Sequence, residues 1–278
     1  MFSTNLLAAP SGIVGFFWGP FALIARYREI LVRTVVTEVR RKYAGSVMGM
    51  LWMAAFPLIL MSLYALIYLA IFRIQPAAMT QFDYVLYIFS GLIPFLGFME
   101  ALNTGASSLS LNRAVLLNTV FPSELIPVRA VLAAQGATFV GLTIILVLAI
   151  GLGKHSLVLL LVPFLWLLLV LFVTGLAWVL SLASLVLRDI QQILAFVSIV
   201  LLIISPIAYT LDMAPGPIRV VVYGNPLSYF LIALHEVLVF GRLPPAGVLA
   251  TTVCIALSSF CLGFWTFQRA KRLFFDYA

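Results

Sequence analysis

Long apolar runs separated by short polar segments dominate the chain. An uncharged run of about 18 residues or more, rising about 1.5 Å per residue, is long enough to cross the roughly 30 Å core of a bilayer as a helix. No segment shows the strict apolar and polar alternation of a membrane-spanning strand. The pattern therefore predicts an all-α integral membrane protein with six transmembrane helices. The predicted spans, the second of which extends past Glu100, are 51–72, 84–104, 130–152, 157–187, 190–211 and 246–268.

The segment 212–245 is apolar but broken. Residues 224–226, Gly-Asn-Pro, interrupt it, and the run that follows carries His235 and Glu236. Apolar runs of about 10–14 residues are more often re-entrant or interfacial than spanning. Counting this run as a seventh span would also move the basic residues at 269–272 to the other side of the membrane. We therefore expect a pair of short helices that dip into the membrane from outside, just before the last span.

Charge placement predicts the orientation, because cytoplasmic loops of membrane proteins carry an excess of Lys and Arg. With both termini inside, only Arg73, Lys154, Arg219 and Arg242 lie in outer segments. The inner segments hold Arg26, Arg28, Arg33, Arg40, Arg41, Lys42, Arg113, Arg129, Arg188, Arg269, Lys271 and Arg272. The net charge of +7 is thus explained by membrane topology rather than by binding to nucleic acid.

Composition supports this assignment and narrows the chemistry. Of the 278 residues, 64% are hydrophobic and 9% are charged, whereas soluble domains carry roughly a quarter charged residues. Cys254 and Cys261 would lie about 10 Å apart along one helix, beyond the reach of a disulfide. No Walker-type G-x-x-x-x-G-K-[ST] motif, catalytic triad or zinc spacing occurs. We predict no enzymatic activity, no metal and no cofactor in this chain, so that ATP and Mg²⁺ would be bound by a partner.

The N-terminal region predicts an amphipathic helix over 21–45, after an apolar extension, 1–20, to which no role is assigned. One face carries Ile24, Tyr27, Leu31 and Val35, and the opposite face carries Arg26, Glu29, Arg33 and Arg40. Such a helix lies on the inner leaflet. It either serves only as a lipid anchor or also receives a cytoplasmic partner on its polar face.

A basic joint follows this helix, in the sequence RKYAGSVMGMLW (41–52). Arg41 and Lys42 are expected at the anionic inner surface, with Tyr43 beside them. Ser46 and Gly49 permit a turn or a close helix approach, and Trp52 suits the membrane interface.

Two inner loops and one charged residue complete the candidate sites. The loop 111–125 holds a short apolar segment that either docks into a groove of a partner or is a simple interfacial turn. In RDIQQ (188–192), Asp189 is predicted to cap the next helix in a capping box with Gln192, with a gating role as the alternative. Glu100 lies near the inner end of the second span and is either pore-lining or interfacial.

Several spaced motifs resemble permease subunits of polysaccharide-exporting ABC transporters, the type-2 exporter family. The joint matches the R-Y-x-x-S-x-L-G-x-x-W signature of that family, with Met48 in place of leucine. Further matches, in the same order, are NTVFPSELIPVRAVL (118–132), LRDIQQIL (187–194), SPIAYTLDMAP (205–215) and NPLSYFLIALHEVLVFGRLP (225–244). The O-antigen permeases are closest in kind, and capsule and teichoic-acid permeases are relatives.

The resemblance implies one transmembrane permease domain over 1–278, a homodimer, two separate ATP-binding cassette subunits and a lipid-linked polysaccharide as substrate. It implies that the inner loop is the coupling helix that docks the ATPase, that 21–45 is the interface helix, and that 212–245 is the outer gate. The coupling residues would be Arg113, Asn118, Phe121, Pro122 and Glu124. The second inner loop would contribute Arg188 and Asp189. The gate residues would be Asn225, Pro226 and Tyr229.

Aromatic rings stack on the C–H faces of sugars, so an aromatic channel lets a polymer slide. Trp52 and Phe56, and Tyr64 and Tyr68, are each spaced i, i+4 on the first span. We expect these residues and Glu100 to line the channel, with helix packing and interfacial anchoring as the alternatives. A drug- or lipid-exporting permease, or a membrane scaffold or enzyme of envelope glycan synthesis, would share many of these features.

Overall fold

The computed structural model describes residues 13–67, 79–112, 122–187 and 189–275, with side chains described between residues 17 and 271 of these ranges. Within them the secondary structure is entirely helical, as the sequence predicts. In chain order the helices are α1 (Ile13–Arg26), α2 (Arg28–Tyr43), α3 (Trp52–Ala65), α4 (Gln81–Leu111), α5 (Leu125–Gly151), α6 (Val162–Val186), α7 (Ile190–Ile204), α8 (Gly216–Gly224), α9 (Pro226–Leu238) and α10 (Ala246–Phe275). Short 3₁₀ turns at Gly49–Leu51 and Leu157–Leu161 precede α3 and α6.

Within the described ranges, four helices are long and apolar enough to cross a membrane: α4, α5, α6 with its 3₁₀ turn, and α10. They correspond to the predicted spans 84–104, 130–152, 157–187 and 246–268. α4 extends beyond its predicted span at both ends, and at its start Thr80 and Asp83 form a capping box. The Thr80 side chain accepts a hydrogen bond from the Asp83 backbone N–H (3.2 Å), and the Asp83 carboxylate accepts one from the Thr80 N–H.

The other two predicted spans correspond to shorter apolar helices. In the first, 51–72, the structure describes α3 as far as residue 65, and residues 68–72 lie outside the described part. In the fifth, 190–211, α7 ends at Ile204, well short of the predicted end. Pro206 explains this, because a proline disfavours the helical conformation of the residue before it. Ser205 accordingly has an extended backbone, with φ −79° and ψ 140°.

The predicted break before the last span is confirmed. α8 and α9 meet at an angle of 101°, and we call them the bent pair. The amide of Asn225 stands between them, and its side-chain oxygen accepts a hydrogen bond from the Leu227 N–H (3.1 Å), which caps α9. Buried α9 packs against α4, α6 and α10.

Among the four long helices, α5 runs antiparallel to α4, α6 and α10, and the bundle has two distinct ends. Asp83, at the start of α4, pairs with Lys154, just after α5, across 2.9 Å at one end. The bent pair lies at this end, because Tyr84 and Tyr87 of α4 donate hydrogen bonds to the carbonyls of Ala208 and Tyr209 just before it (2.8 and 3.1 Å). The other end, which holds Lys42, Arg129 and Lys271, is called the basic end.

The backbones of α6 and α10 approach each other closely. A Cβ added at Gly175 would lie 2.2 Å from the Ser259 carbonyl oxygen, and one at Gly263 would lie 2.2 Å from the Gly175 carbonyl oxygen. Small residues let membrane helices approach this closely. Fully buried Trp178 and Phe260 fill the space beside this contact, with ring centroids 5.0 Å apart.

Candidate functional site

The basic joint has the backbone that its glycines predict. α2 ends at Tyr43, and the chain turns through Gly45 (φ 78°) and Gly49 (φ 53°), conformations that L-residues with a side chain rarely adopt. Trp52 then begins α3, with 38% of its surface exposed. Arg41 and Lys42 are exposed, as is Ser46. The glycine turns thus reverse the chain between a charged helix and an apolar one.

Glu100 is not an isolated charge, because it forms an ion pair with Lys42 of the joint. The two side chains are 34% and 45% exposed, so water reaches both. Asn103, one turn further along α4, accepts a hydrogen bond at its carbonyl from Gln191 of α7 (3.5 Å). The structure therefore brings the joint, α4 and the start of α7 together as one partly exposed polar surface at the basic end.

The predicted channel aromatics separate into two groups. Trp52 and Phe56 are exposed, at 38% and 55%. Tyr64 instead packs edge-on against buried Phe89 of α4, with centroids 6.2 Å apart. Tyr68 lies outside the described residues.

The predicted interface helix, 21–45, corresponds to the last part of α1 and to α2, which are separated at Tyr27. The polar residues Arg26, Glu29, Arg33 and Arg40 are exposed. Part of the apolar face packs against the bundle. Leu31, 3% exposed, belongs to a buried cluster of α4, α5, α6 and α10 residues, and Ile24 and Val35 pack against that cluster.

The predicted coupling residues lie around segment 113–121, which contains Arg113, Asn118 and Phe121 and is outside the described residues. Just before it, Asn112 accepts a hydrogen bond from the Arg129 guanidinium (3.3 Å). Arg129 also lies 3.8 Å from the Glu38 carboxylate of α2. Pro122, just after the segment, is half-buried.

The Glu124 side chain is 7% exposed, and its carboxylate faces α10. The Lys271 ammonium of α10 lies 2.6 Å from it and the Gln268 amide 3.4 Å. The indole N–H of buried Trp178 in α6 donates to the Glu124 backbone carbonyl (2.8 Å). Sequence reasoning missed this cluster, because Glu124 and Lys271 are separated by 147 residues and no local pattern connects them.

In the second inner loop, Asp189 stands at the predicted start of α7 but does not make the predicted capping hydrogen bond. Asp189 is the N-cap residue of α7, as predicted, but its side chain accepts no backbone hydrogen bond there, so the predicted capping box with Gln192 is wrong. Its partner in the prediction, Arg188, lies outside the described residues.

The predicted gate residues stand at the bend. Buried Asn225 donates a side-chain hydrogen bond to the Ser205 hydroxyl (2.9 Å), which fixes the bend against the end of α7. Pro226 is the first residue of α9, where its missing N–H costs nothing. The Tyr229 hydroxyl donates to the Tyr223 carbonyl across the bend (3.0 Å). These contacts hold the angle between α8 and α9.

Two further side chains of the bent pair, His235 and Glu236, were given no role from the sequence. His235 is 2% exposed, and its ring stacks on Tyr87 of α4 at a centroid distance of 3.9 Å. The Glu236 carboxylate pairs with Arg242 in the loop before α10, and its hydrogen bonds hold the pKa of that guanidinium above its ordinary value. Among the described residues, no three His, Cys, Asp or Glu side chains converge as metal ligands would.

Comparison with known proteins connects these features to a family. The chain is similar to the O-antigen export system permease protein RfbA of Myxococcus xanthus, with 24% identity over 235 residues, 84% of this chain and 88% of that protein. The protein of the same name from Klebsiella pneumoniae is 25% identical over 218 residues, 77% of this chain and 82% of its own length.

The family model for ABC-2 type transporters matches residues 31–239, from α2 to the residue after α9. This stretch includes the basic joint, both inner loops and the bent pair. This chain is accordingly a transport subunit of that family. The chain therefore belongs to the ABC-2 type transporter family, as a multi-pass membrane permease.

Proposed function

We propose that this chain is the transmembrane subunit of an ATP-driven exporter that moves a lipid-linked, O-antigen-like polysaccharide from the cytoplasmic to the outer face of the inner membrane. The observation that carries the proposal is its similarity to O-antigen export permeases over 84% and 77% of the chain. The motifs of the joint, the inner loops and the bent pair all lie within that family's match, or extend a few residues past its end.

In this proposal the energy source is a separate ATPase subunit, as expected for an ABC transporter permease. Two ATP-binding cassette subunits would bind ATP and Mg²⁺ and dock around segment 113–121 and the exposed polar face of α2. A second copy of the chain would complete the path. Exposed Trp52 and Phe56 would then line it, with Glu100 and Lys42 at its inner end, in contact with membrane lipids and the substrate.

The orientation follows from charge. The basic end, which holds Lys42, Arg129 and Lys271, would face the cytoplasm together with both termini, and the end with Lys154 and Arg242 would face outward. The bent pair would then be the outer gate.

The proposal is tested by deleting the gene for this chain in its host and measuring where the polysaccharide accumulates. We expect the surface polysaccharide to disappear while its lipid-linked precursor accumulates at the cytoplasmic face. The wild-type chain restores display, and it copurifies with an ATPase. Substitution of the Walker lysine in that ATPase abolishes the rescue.

Other outcomes separate the alternatives. Loss of precursor synthesis would indicate a scaffold or enzyme of envelope synthesis. Undisturbed display of the polysaccharide would contradict the proposal and direct attention to drug or lipid export. The chemical structure of the accumulated precursor distinguishes O-antigen from capsule or teichoic acid.

A further inference from the structure

Side chains fix both borders of segment 113–121 to the helix bundle. Before the segment, Asn112 is held by Arg129, which also lies near Glu38 of α2 (3.8 Å). After it, Glu124 is held by Lys271 of α10 (2.6 Å). The segment proposed to contact the ATPase is therefore connected to α2 on one side and to α10 on the other.

The two connections differ in burial. Glu38 is 41% exposed, and its distance to Arg129 is long for an ion pair. The Glu124 carboxylate is 7% exposed and the Lys271 ammonium 23%. A shielded pair at short range depends strongly on its geometry, because separation leaves a charge without water or a partner. Glu124 and Lys271 thus form the stiffer connection.

Glu124 is also the point where three helices meet. It is the N-cap residue of α5, its backbone carbonyl accepts from Trp178 of α6, and its carboxylate accepts from Lys271 and Gln268 of α10. Displacement of Pro122 would act directly on this point, since only Ser123 separates Pro122 from Glu124.

α10 reaches from this point to the other end of the bundle. Its 30 residues contain no proline and, at about 1.5 Å per residue, span about 45 Å. Its first residue follows the loop of Arg242, which pairs with Glu236 of the bent pair. α10 also packs directly against α9. One continuous helix therefore joins the Glu124 cluster to the bent pair.

We propose that the Glu124–Lys271 ion pair transmits movement of the ATPase-docking segment to α10, and through α10 to the bent pair. This inference rests on the proposed function. Glu124 and Lys271 are positioning residues: they contact neither ATP nor the polysaccharide, and they determine whether ATP hydrolysis opens the path.

The test compares polysaccharide display in cells with ATP hydrolysis by the purified complex of the chain and its copurifying ATPase. Glu124→Gln keeps the shape of the side chain and removes its charge. Lys271→Met removes the other charge, and the exchange Glu124→Lys with Lys271→Glu restores a pair. Lys154→Met, which breaks the Asp83 pair at the opposite end, is the matched control.

We expect each single variant to assemble with the ATPase and hydrolyse ATP, while polysaccharide displayed per ATP falls about fivefold or more. The variant with Glu124→Lys and Lys271→Glu regains most of the wild-type amount of polysaccharide displayed per ATP, and Lys154→Met keeps that amount. A Glu124→Gln variant with the wild-type ratio, at equal amounts of folded complex, overturns the inference.

A second measurement covers the case in which the variants fail to fold. Spin labels at Ser123→Cys and Arg269→Cys, with Cys254 and Cys261 changed to alanine, report the distance between the loop and α10. We expect that distance to stay constant between the nucleotide-free and ATP-bound complexes, because the pair moves as a unit. A distance that changes with nucleotide overturns the inference. If the wild-type complex did not display polysaccharide in an ATP-dependent way, that result would instead contradict the proposed function.

Discussion

In the Glu124–Lys271 ion pair, removal of one charge should destabilise the fold more than removal of the other, because Glu124 is the more deeply buried partner. Lys271→Met leaves the buried Glu124 carboxylate without its cation, whereas Glu124→Gln leaves an ammonium that reaches water. We expect Lys271→Met to lower the free energy of unfolding by roughly 3 kcal/mol and Glu124→Gln by less. Thermal unfolding in detergent measures the order.

The partly exposed Lys42–Glu100 pair provides the control for this experiment. Because water screens both of its charges, Glu100→Gln should change the free energy of unfolding by no more than about 1 kcal/mol. Equal unfolding temperatures for the Lys271 and Glu100 variants would show that the burial of Glu124 has no energetic effect.

The glycines between α6 and α10 give a second prediction at this scale. Gly175→Ala would place a methyl group 2.2 Å from the Ser259 carbonyl oxygen, so the two helices must separate. Overpacking of this kind costs about 1–3 kcal/mol, and more where backbone is the obstacle. We expect a lower unfolding temperature and less folded protein. Gly151→Ala, where a Cβ meets nothing within 4 Å, is the matched control and should behave as wild type.

Residue pairs were the part of the site that sequence could not predict. Glu100 and Lys42 were both identified as candidates, one as a lone membrane charge and the other as a surface anchor. Their contact joins residues 58 positions apart, and Lys271 lies still further from Glu124. Periodicity reports which face of one helix is polar, but it contains no information on which helices become neighbours.

At the scale of elements, sequence predicted the long helices and the bend, because both have local causes. Four apolar runs became four long helices, and the Gly-Asn-Pro sequence at 224–226 became the 101° bend. The misplaced end of the fifth span has a local cause too. That span was extended through Pro206, which ends α7.

The bend makes a prediction of its own. Asn225 caps α9 and bonds to Ser205, so Asn225→Ala removes both contacts and leaves the Ser205 hydroxyl without its donor. We expect a loss of about 1–2 kcal/mol in unfolding free energy. The bend should also loosen, which a spin label on exposed Val220 would report as greater mobility.

Tyr229→Phe is the comparison for the bend. It removes one hydrogen bond to the Tyr223 carbonyl at an exposed position, where water replaces the hydroxyl. The stability and the label mobility should therefore change little. If Tyr229→Phe lowered stability or raised label mobility more than Asn225→Ala, Asn225 would not be the residue that holds the bend.

For the whole molecule, the arrangement of charge predicts which end faces the cytoplasm. Exposed Arg40 and Arg269 stand at the basic end, and exposed His155 and Arg242 at the other. In a chain with Cys254 and Cys261 changed to alanine, we expect single cysteines at 155 and 242 to react with an impermeant thiol reagent in intact spheroplasts. Cysteines at 40 and 269 should react only after the membrane is opened.

This labelling pattern also decides how the bent pair is seated in the membrane. If α8 and α9 together crossed the membrane as a broken span, they would add one crossing before α10. Residues 242 and 269 would then each lie on the opposite side of the membrane from the one expected here, whereas residue 155 would not move. Position 269 would then be labelled from outside, and position 242 would be protected. In that arrangement Lys271 would lie outside, while its partner Glu124 and Arg40 remained inside. Since one ion pair holds Glu124 to Lys271, the basic end cannot be divided between two sides, and we expect residues 40 and 269 to be protected together.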